Sequence, residues 1–328
     1  MADILSPAAL ESALISAAPA TVVHLAADMN FYPSSEARLT GTNVAGTRNL
    51  LDACAARFAG RKIRLVDVSS TEAVGEVCGG AASEGHPCAP DSAYGASKLA
   101  AEAVVLDERY VEKVDVVVLR STGVYGVGKN FFFREVVDAV SAGLMFVRPG
   151  PLDGRLMVTE VGDVVSAIVL AAGGKGGDGE RLFHICPDQA LSYRRIVEVI
   201  AEEVGRAPPR FGVPLRAAQV VVRALGGLLN WGKRRPFLMK ADSLASSRTD
   251  RVYMNALAKR VLGWKPRFSS TEEEIREYLR AEIALGSLRK EPVSPLALNV
   301  GKIVSLIIFV CARLSMGELK GGVESVGA

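Results

Sequence analysis

Three short apolar runs mark the first half of the chain as part of an α/β sheet. The runs "TVVHLAA", "KIRLVDVSS" and "VDVVVLRS" are almost continuously rich in Val, Ile and Leu, which is typical of parallel strands buried on both faces. Amphipathic helical patterns lie between them, in "NVAGTRNLLDACAARF" and "YGASKLAAEAVVLDERY". Because strand and helix alternate, the pattern predicts a parallel sheet with helical crossovers. Ser6 followed by Pro7 predicts that a further helix, "PAALESALIS", begins before the first strand.

After Tyr125 the alternation gives way to a mostly helical region. The pattern predicts helices in "NFFFREVVDAVSAG", "SYRRIVEVIAEEVG", "VPLRAAQVVVRALGGLLNW" and "STEEEIREYLRAEIA", and one late strand in "DGERLFHI". We therefore expect residues 1–124 to form the sheet domain and residues 125–290 a smaller lobe that returns some chain to the sheet. Residues 291–328 are expected to form an apolar tail.

Composition narrows the classes of function. The chain carries 39 Lys and Arg against 36 Asp and Glu, a net charge of only +3, whereas nucleic-acid binding needs a concentrated basic face. Five cysteines lack paired metal spacing and three histidines are scattered, so we expect neither a nucleic-acid partner nor a metal site. The start, "MADILSPAALES", is acidic and amphipathic rather than basic and then apolar, which favours a cytoplasmic protein.

The tail contains one apolar run, Ile303 to Ala312, flanked by Lys302 and Arg313. A spanning helix needs roughly 20 apolar residues, and this run is about half as long. Two interpretations stay open. The segment packs on the core or on a second subunit, or residues 295–316 associate with a membrane surface.

Polar side chains at the strand ends supply candidate chemistry. Ligands of open α/β sheets bind at the carboxyl ends of the strands, and the second predicted strand ends in Ser70. Tyr94 and Lys98 follow on one face of the next helix. An ammonium beside a phenol favours the phenolate, so we expect the pKa of Tyr94 to lie nearer neutrality than usual. The three residues form a candidate site for alcohol oxidation or carbonyl reduction, in which a cofactor accepts or donates the hydride.

Five motifs in order, "VVHLAA", "NVAGTRNLLDAC", "VSSTEAVG", "YGASKLAAE" and "LRSTGVYGVG", resemble the extended short-chain dehydrogenase/reductase family, of the NAD-dependent epimerase/dehydratase type. The resemblance runs from Asp3 to about Leu279. "SSTEAVG" looks most similar to the branch of 3β-hydroxysteroid and sterol-4α-carboxylate 3-dehydrogenases, although Val74 stands where many relatives have tyrosine. The resemblance implies a Rossmann-type doubly wound sheet with NAD or NADP as the cofactor. Residues 1–124 would be the NAD(P)-binding domain, and residues 125–290 the substrate-binding lobe.

The resemblance also implies roles for individual residues. Tyr94 would be the acid/base, and Lys98 would hold the nicotinamide ribose and tune Tyr94. Ser70 would align with the catalytic Ser or Thr of the family, with Thr71 as the alternative. Asp3 would meet the adenine and Asn43 would lie near the ribose. The residues expected at the cofactor are Asp3, Leu25, Ala26, Ala27, Asn43, Tyr94 and Lys98.

One feature of the family has no match in the chain. The family begins with a strand and a Gly-x-x-Gly-x-x-Gly turn that holds the cofactor pyrophosphate, whereas only Met1 and Ala2 precede Asp3. The glycine-dense "AAGGKGGDGE" follows a helix rather than a strand, so we interpret it as a flexible surface loop. Without a neighbour, the strand "TVVHLAA" would be an exposed sheet edge. We therefore expect the domain to be N-terminally incomplete by roughly 50 residues.

Three functions remain in competition. The first is an NAD(P)-dependent oxidoreductase acting on a hydroxyl or ketone of a hydrophobic, sterol- or isoprenoid-like molecule, favoured by the apolar tail and by the predicted helix 213–231. The second is a nucleotide-sugar epimerase or dehydratase with the same triad, whose diphosphate would need arginines such as Arg134, Arg148 or Arg155. The third is a binding protein that lost the cofactor loop. A homodimer is also left open, because relatives are often dimers.

Overall fold

The structure is a computed structural model that describes residues 2–29, 36–57, 62–128, 132–142, 147–149, 152–177, 179–209, 211–214, 216 and 248–288. The tail 291–328 with its segment 295–316, and most of the predicted helix 213–231, lie outside these ranges.

The helices are α1 (Pro7–Ala17), α2 (Glu36–Leu39), α3 (Gly46–Ala56), α4 (Ala93–Val105), α5 (Glu108–Val111), α6 (Phe132–Ser141), α7 (Val161–Ala172), α8 (Tyr193–Glu203) and α9 (Thr271–Ala284). The strands are β1 (Thr21–His24), β2 (Ile63–Ser70), β3 (Val114–Ser121), β4 (Gly123–Tyr125), β5 (Val147–Pro149), β6 (Arg155–Leu156), β7 (Val158–Glu160), β8 (Leu182–Ile185), β9 (Leu191–Ser192) and β10 (Phe211–Val213).

The main sheet is parallel and has the strand order β1-β2-β3-β8. Its first three strands are the three apolar runs, and β8 is the late strand predicted in "DGERLFHI". The register sets Val66 beside Val23 on one side and Val117 on the other. Because all four strands run in the same direction, their carboxyl ends meet along one edge, where Ser70 lies beside Ser121.

Helices cover both faces of this sheet, as the α/β prediction requires. On one face α1, α3 and α4 bury a cluster that includes Leu14, Leu51 and Val105 against Leu65 and Val116. On the other face α7 and residues 258–264 pack on Val66, Val117 and Phe183, with the fully buried Trp264 in the same cluster. The apolar strands are therefore buried on both sides, which explains why they show no alternation of polar and apolar residues.

The chain divides into two compact units. The first comprises residues 1–124, 157–188 and 251–269 and contains the whole main sheet. The second comprises residues 125–156, 189–250 and 270–328. Within the second unit α8 and α9 are joined by ion pairs, of which Arg195 to Glu272 is 2.7 Å long. Tyr125, Phe133 and Tyr278 form an aromatic cluster in the same unit, with ring centroids 4.8 to 6.0 Å apart.

Two local elements differ from the sequence pattern. The strand β1 ends at His24, so that Leu25 to Ala27 belong to the following loop. The helix predicted from Asn43 to Phe58 begins earlier, as α2, and passes through a π-helical turn at Thr40–Ala45 before α3. A π turn widens the helix and leaves an irregular ladder of backbone bonds, a feature often found at functional sites.

The glycine-dense loop after α7 lies at the surface, with Gly173, Gly174 and Lys175 exposed, and it is anchored to the sheet by Arg64. The Arg64 guanidinium donates to the carbonyl oxygens of Ala171, Lys175 and Gly176 and pairs with the Asp115 carboxylate. Arg64 lies at the beginning of β2 and is buried. The loop is therefore fixed at the end of the sheet opposite to Ser70, where it serves the packing of the first unit.

We expect Arg64→Ala to lower the free energy of unfolding by about 3 kcal/mol, because three carbonyl groups lose a donor and Asp115 loses its partner. Urea unfolding followed by circular dichroism measures the change. Arg109→Ala is the matched control, since Arg109 pairs with Asp107 at the surface with 71 % of its side chain exposed, and its urea midpoint should hardly change. Equal midpoints for the two variants would contradict the role of Arg64.

No helix in the described part of the chain is long and apolar enough to cross a membrane. Across the same residues, no group of three His, Cys, Asp or Glu side chains is arranged to hold a metal ion.

Candidate active site

The carboxyl end of β2 carries the first candidate residue, Ser70. The strand ends there, and a single 3-10 turn, Thr71–Ala73, follows. The Ser70 hydroxyl oxygen accepts a hydrogen bond of 3.2 Å from the backbone N–H of Glu72, which caps this turn. The turn holds Ser70 at the edge of the sheet where ligands of parallel sheets bind.

Tyr94 lies in the first turn of α4 and is directed at the same edge. Ser92 caps the helix, its hydroxyl accepting from the Gly95 N–H at 3.0 Å. The close approach of α4 to the turn after β2 depends on Gly95, because a Cβ there would lie only 2.2 Å from the Glu72 carbonyl oxygen. Tyr94 is buried, and its phenol lies close enough to the Ser70 hydroxyl for that hydroxyl to lower the pKa of the phenol. The structure therefore brings together Ser70 and Tyr94, and Ser70 rather than Thr71 makes the contact.

The pKa of Tyr94 moves in the direction opposite to the sequence-based expectation. Burial is the main cause of a rise to about 12, and the neighbouring Glu72 carboxylate adds to it. The Ser70 hydroxyl lowers the pKa of the phenol but does not offset burial. The expectation was wrong because it weighed a nearby ammonium without the cost of burying a charged phenolate. In this structure the phenol is a proton donor at neutral pH.

Lys98 follows one turn after Tyr94 on the same helix and is also buried. Its Nζ donates a hydrogen bond of 3.0 Å to the backbone carbonyl oxygen of Val68, in β2. The ammonium is thus held against the strand that carries Ser70. All three candidate catalytic residues lie within the first unit, around the carboxyl end of β2.

Asn43 holds the loop after β1 rather than pointing to open space. Its amide nitrogen donates to the Asp28 carbonyl oxygen at 3.0 Å and to the Ser97 hydroxyl at 2.9 Å, and its amide oxygen accepts from the Asp28 N–H at 2.7 Å. Asn43 therefore ties this loop to α4 close to Lys98. A role at the cofactor ribose stays a prediction.

The remaining predicted cofactor residues lie at the beginning of the chain and at the end of β1. Leu25 is 63 % exposed, Ala26 is exposed and Ala27 is partly buried, so the carboxyl end of β1 presents an open, apolar surface. Asp3 is exposed, and its carboxylate accepts from the Leu5 N–H at 3.0 Å, just before α1. An exposed apolar leucine at this edge fits a site that packs against a flat ligand.

Sequence reasoning missed a charged group next to Tyr94. Glu72 forms an ion pair with Arg251 at 3.3 Å, and Arg251 also pairs with Asp91. Burial raises the pKa of Glu72, while Arg251 opposes the rise. The acidic residue was visible in "SSTEAVG", but Arg251 is far away in the chain, and no local pattern predicts their contact.

A buried network of polar side chains lies between α4 and the strands beneath it. The Glu102 carboxylate accepts from the Ser69 hydroxyl and from the Arg120 guanidinium, the latter at 2.7 Å. Arg120 also donates to the Cys88 thiol at 3.4 Å. This network fixes α4 over the ends of β2 and β3, and so it helps to set the position of Tyr94.

Comparison with known proteins agrees with the α/β fold. The family model described as "NAD dependent epimerase/dehydratase family" matches residues 1–186, more than half of the chain. The chain belongs to this family. The α/β sheet and the extended short-chain dehydrogenase/reductase resemblance are thereby confirmed, and the cofactor of the family is a nicotinamide dinucleotide, NAD or NADP.

Individual relatives differ in chemistry. A dTDP-glucose 4,6-dehydratase from an Actinoplanes species is 30 % identical over 58 % of this chain and 59 % of its own length. A 3 beta-hydroxysteroid dehydrogenase/Delta 5-->4-isomerase from Mycobacterium tuberculosis is 26 % identical over 81 % of this chain and 72 % of its own length. The structure of RMD from Pseudomonas aeruginosa, complexed with NADPH, matches with a TM-score of 0.64 at 23 % identity, over 87 % of this chain and 86 % of that one. The chain thus spans less than two thirds of the dehydratase.

The residues at the edge of the sheet fit a nicotinamide cofactor. The buried Lys98 ammonium, with one of its three donors used on Val68, retains hydrogen-bonding capacity for hydroxyl groups. The open end of β1 at Leu25 and Ala26 leaves space for a planar ring. When bound, the cofactor would supply the hydride acceptor or donor that no side chain can provide.

Proposed function

We propose that the protein is an NAD(P)-dependent oxidoreductase that interconverts a secondary alcohol and a ketone on a hydrophobic, sterol-like molecule. The observation that carries the proposal is the approach of the buried Tyr94 phenol to Ser70 at the carboxyl end of β2, with Lys98 one helical turn away. Two hydroxyl groups that meet at the carboxyl edge of a parallel sheet can both contact one substrate oxygen.

The proton chemistry follows from the state of Tyr94. With a pKa of about 12, the phenol is protonated at neutral pH and can donate its proton to the oxygen of a ketone as that oxygen gains negative charge. Ser70 would hold the same oxygen by a second hydrogen bond. In the opposite direction the phenolate would accept the alcohol proton, while the carbon-bound hydrogen leaves as hydride to the cofactor.

Two described arginines of the second unit, Arg134 and Arg155, support an uncharged substrate. A nucleotide-sugar site should present arginines to a diphosphate, but Arg134 and Arg155 are already paired. Arg134 contacts Asp138 at 2.7 Å and the fully buried Glu282 at 2.8 Å. Arg155 contacts Asp250 at 2.6 Å. The steroid dehydrogenase also aligns over a larger share of this chain than the sugar dehydratase does, 81 % against 58 %.

The test compares two substrates in parallel. Purified protein with NAD+ or NADP+ and a 3β-hydroxysteroid is expected to form reduced nicotinamide, detected by its absorbance, together with the 3-ketone. With dTDP-glucose or UDP-glucose we expect neither an epimer nor a dehydrated sugar by mass spectrometry, a necessary readout because those reactions consume no cofactor overall. Conversion of the sugar without conversion of the steroid would contradict the proposal.

A sugar dehydratase is the second candidate, and Glu72 is the observation in its favour. A dehydratase needs a base beside the oxidised centre to remove a proton from carbon. The Glu72 carboxylate lies close enough to Tyr94 to raise the pKa of the phenol, but Arg251 already pairs with it. If the sugar arm of the test succeeds, Glu72→Gln should stop loss of water while leaving the initial oxidation intact.

A further inference from the structure

Asp67 is a buried carboxylate that the proposed reaction does not yet use. It lies in β2, three residues before Ser70, and is only 1 % exposed. Among the residues that the structure describes, no group donates a hydrogen bond to either of its carboxylate oxygens. A buried carboxylate without a partner is costly, so its presence beside the candidate site calls for a counter-charge.

The nearest histidine does not supply that charge. His24 is the neighbour of Asp67 in the sheet, with its Nε2 atom 3.9 Å from the Asp67 Oδ1 atom. The Thr47 hydroxyl uses its only proton on the Asn43 carbonyl oxygen at 2.6 Å. The His24 Nε2–H must therefore donate to Thr47, at 2.9 Å, and not to Asp67. Burial lowers the pKa of His24 below 6.5, so the ring is neutral at pH 7.

Lys98 is a nearby cation that could balance the charge of Asp67. Its Nζ is bonded to the carbonyl oxygen of Val68, the residue that follows Asp67 in β2. Both side chains are buried on the side of the sheet that α4 covers, since Asp67 shares the alternation of Leu65, which packs against α4. Opposite charges attract strongly in a buried setting even without a direct bond.

We propose that Asp67 is a positioning residue that balances the charge of the buried Lys98 and opposes the pull of that ammonium on the Tyr94 proton. Lys98 alone would favour the phenolate. Asp67 opposes that effect and so adds to burial in keeping the site a proton donor, suited to ketone reduction. This deepens the proposed function and rests on it only for the direction of turnover.

Other charged groups near the Tyr94 phenol must be considered beside Asp67. Among the residues that the structure describes, the charged and titratable groups near Tyr94 or Asp67 include Glu72 from the turn after β2, Lys98 from α4 and His24 from β1, with Arg251 and Asp91 behind Glu72. Arg251 pairs with Glu72 at 3.3 Å, yet Glu72 still raises the pKa of Tyr94. Asp67 raises the pKa of Tyr94 in addition to burial and Glu72, so its removal should be visible in the titration of the phenol.

The primary test is an ultraviolet titration of tyrosinate in the protein without added cofactor. Each protein is compared with its own Tyr94→Phe variant, so that the difference isolates Tyr94 from the other tyrosines. Asp67→Asn is expected to lower the pKa of Tyr94 by roughly one unit, because the amide keeps the shape and removes the charge. Asp107→Asn, at a half-buried carboxylate that caps α5, is the control and should leave the titration unchanged. If Asp67→Asn does not fold, Asp67→Ser makes the same comparison.

A second readout separates this proposal from the proposed function. In Asp67→Asn the rise of alcohol oxidation with pH should shift by the same unit, so that oxidation at a fixed pH below the original midpoint increases up to about tenfold. A shifted titration without turnover of any alcohol would support the role of Asp67 and reject the proposed function. An unchanged titration would overturn the role of Asp67, whatever the activity.

Discussion

Tyr94→Phe is expected to lower kcat for the alcohol–ketone reaction by about 10³-fold or more, which is what loss of a positioned general acid or base costs. The substitution removes only the phenolic hydroxyl, so the ring keeps its place against α4 and the turn after β2. The fold should be kept, because the buried ring stays in the first turn of α4, so any change in cofactor affinity reports the loss of the hydroxyl alone. Steady-state kinetics with the productive substrate, together with cofactor titration by fluorescence, measure both effects.

The control is Tyr253→Phe. Tyr253 is also buried, its pKa is also raised to about 12 by burial, and its hydroxyl donates to the Thr71 and Gly75 carbonyl oxygens at 3.4 Å. It therefore supports the turn after Ser70 without a place at the proposed substrate oxygen, and its loss should affect stability more than kcat. Equal kcat values for the two variants would contradict the role of Tyr94 as the proton donor.

The fold was largely readable from the sequence because its signals are local. β2 and β3 are continuous apolar runs, and Ser6 with Pro7 marks the beginning of α1, whose N-cap is indeed Ser6. The same holds for the placement of Tyr94 and Lys98 in one helix. These predictions depend on residues within a few positions of each other, and such short-range rules carry over directly into structure.

The rest depended on contacts between distant parts of the chain. The pairing of Arg251 with Glu72 joins residues 179 positions apart, and Arg64 reaches Gly176 across 112 positions. Neither contact leaves a local pattern. The pKa of Tyr94 was predicted in the wrong direction for a related reason. Its sign depends on whether burial or a nearby ammonium dominates, and burial is a property of the folded molecule.

Lys98→Met should damage both the chemistry and the stability of the site. Methionine keeps the length and the helical preference of lysine, but it removes the donor to the Val68 carbonyl oxygen and the positive charge. We expect kcat/KM to fall by about 10²-fold or more, through loss of a group that positions substrate and cofactor. Cofactor affinity should also fall, measured by isothermal titration with NAD+ and NADP+.

The stability of Lys98→Met shows whether Asp67 and Lys98 interact as a charge pair or whether the variant only loses local contacts. Without Lys98, the Asp67 carboxylate is buried with no cation near it, so the free energy of unfolding should fall by about 2 kcal/mol. Asp67→Asn in the same background should restore about half of this, because the uncompensated charge is gone, while activity stays lost. Urea unfolding of the wild type, both single variants and the double variant forms the cycle. If Asp67→Asn changes stability equally in the presence and absence of Lys98, the two charges are not coupled, and the loss in Lys98→Met comes from the missing hydrogen bond to β2 alone.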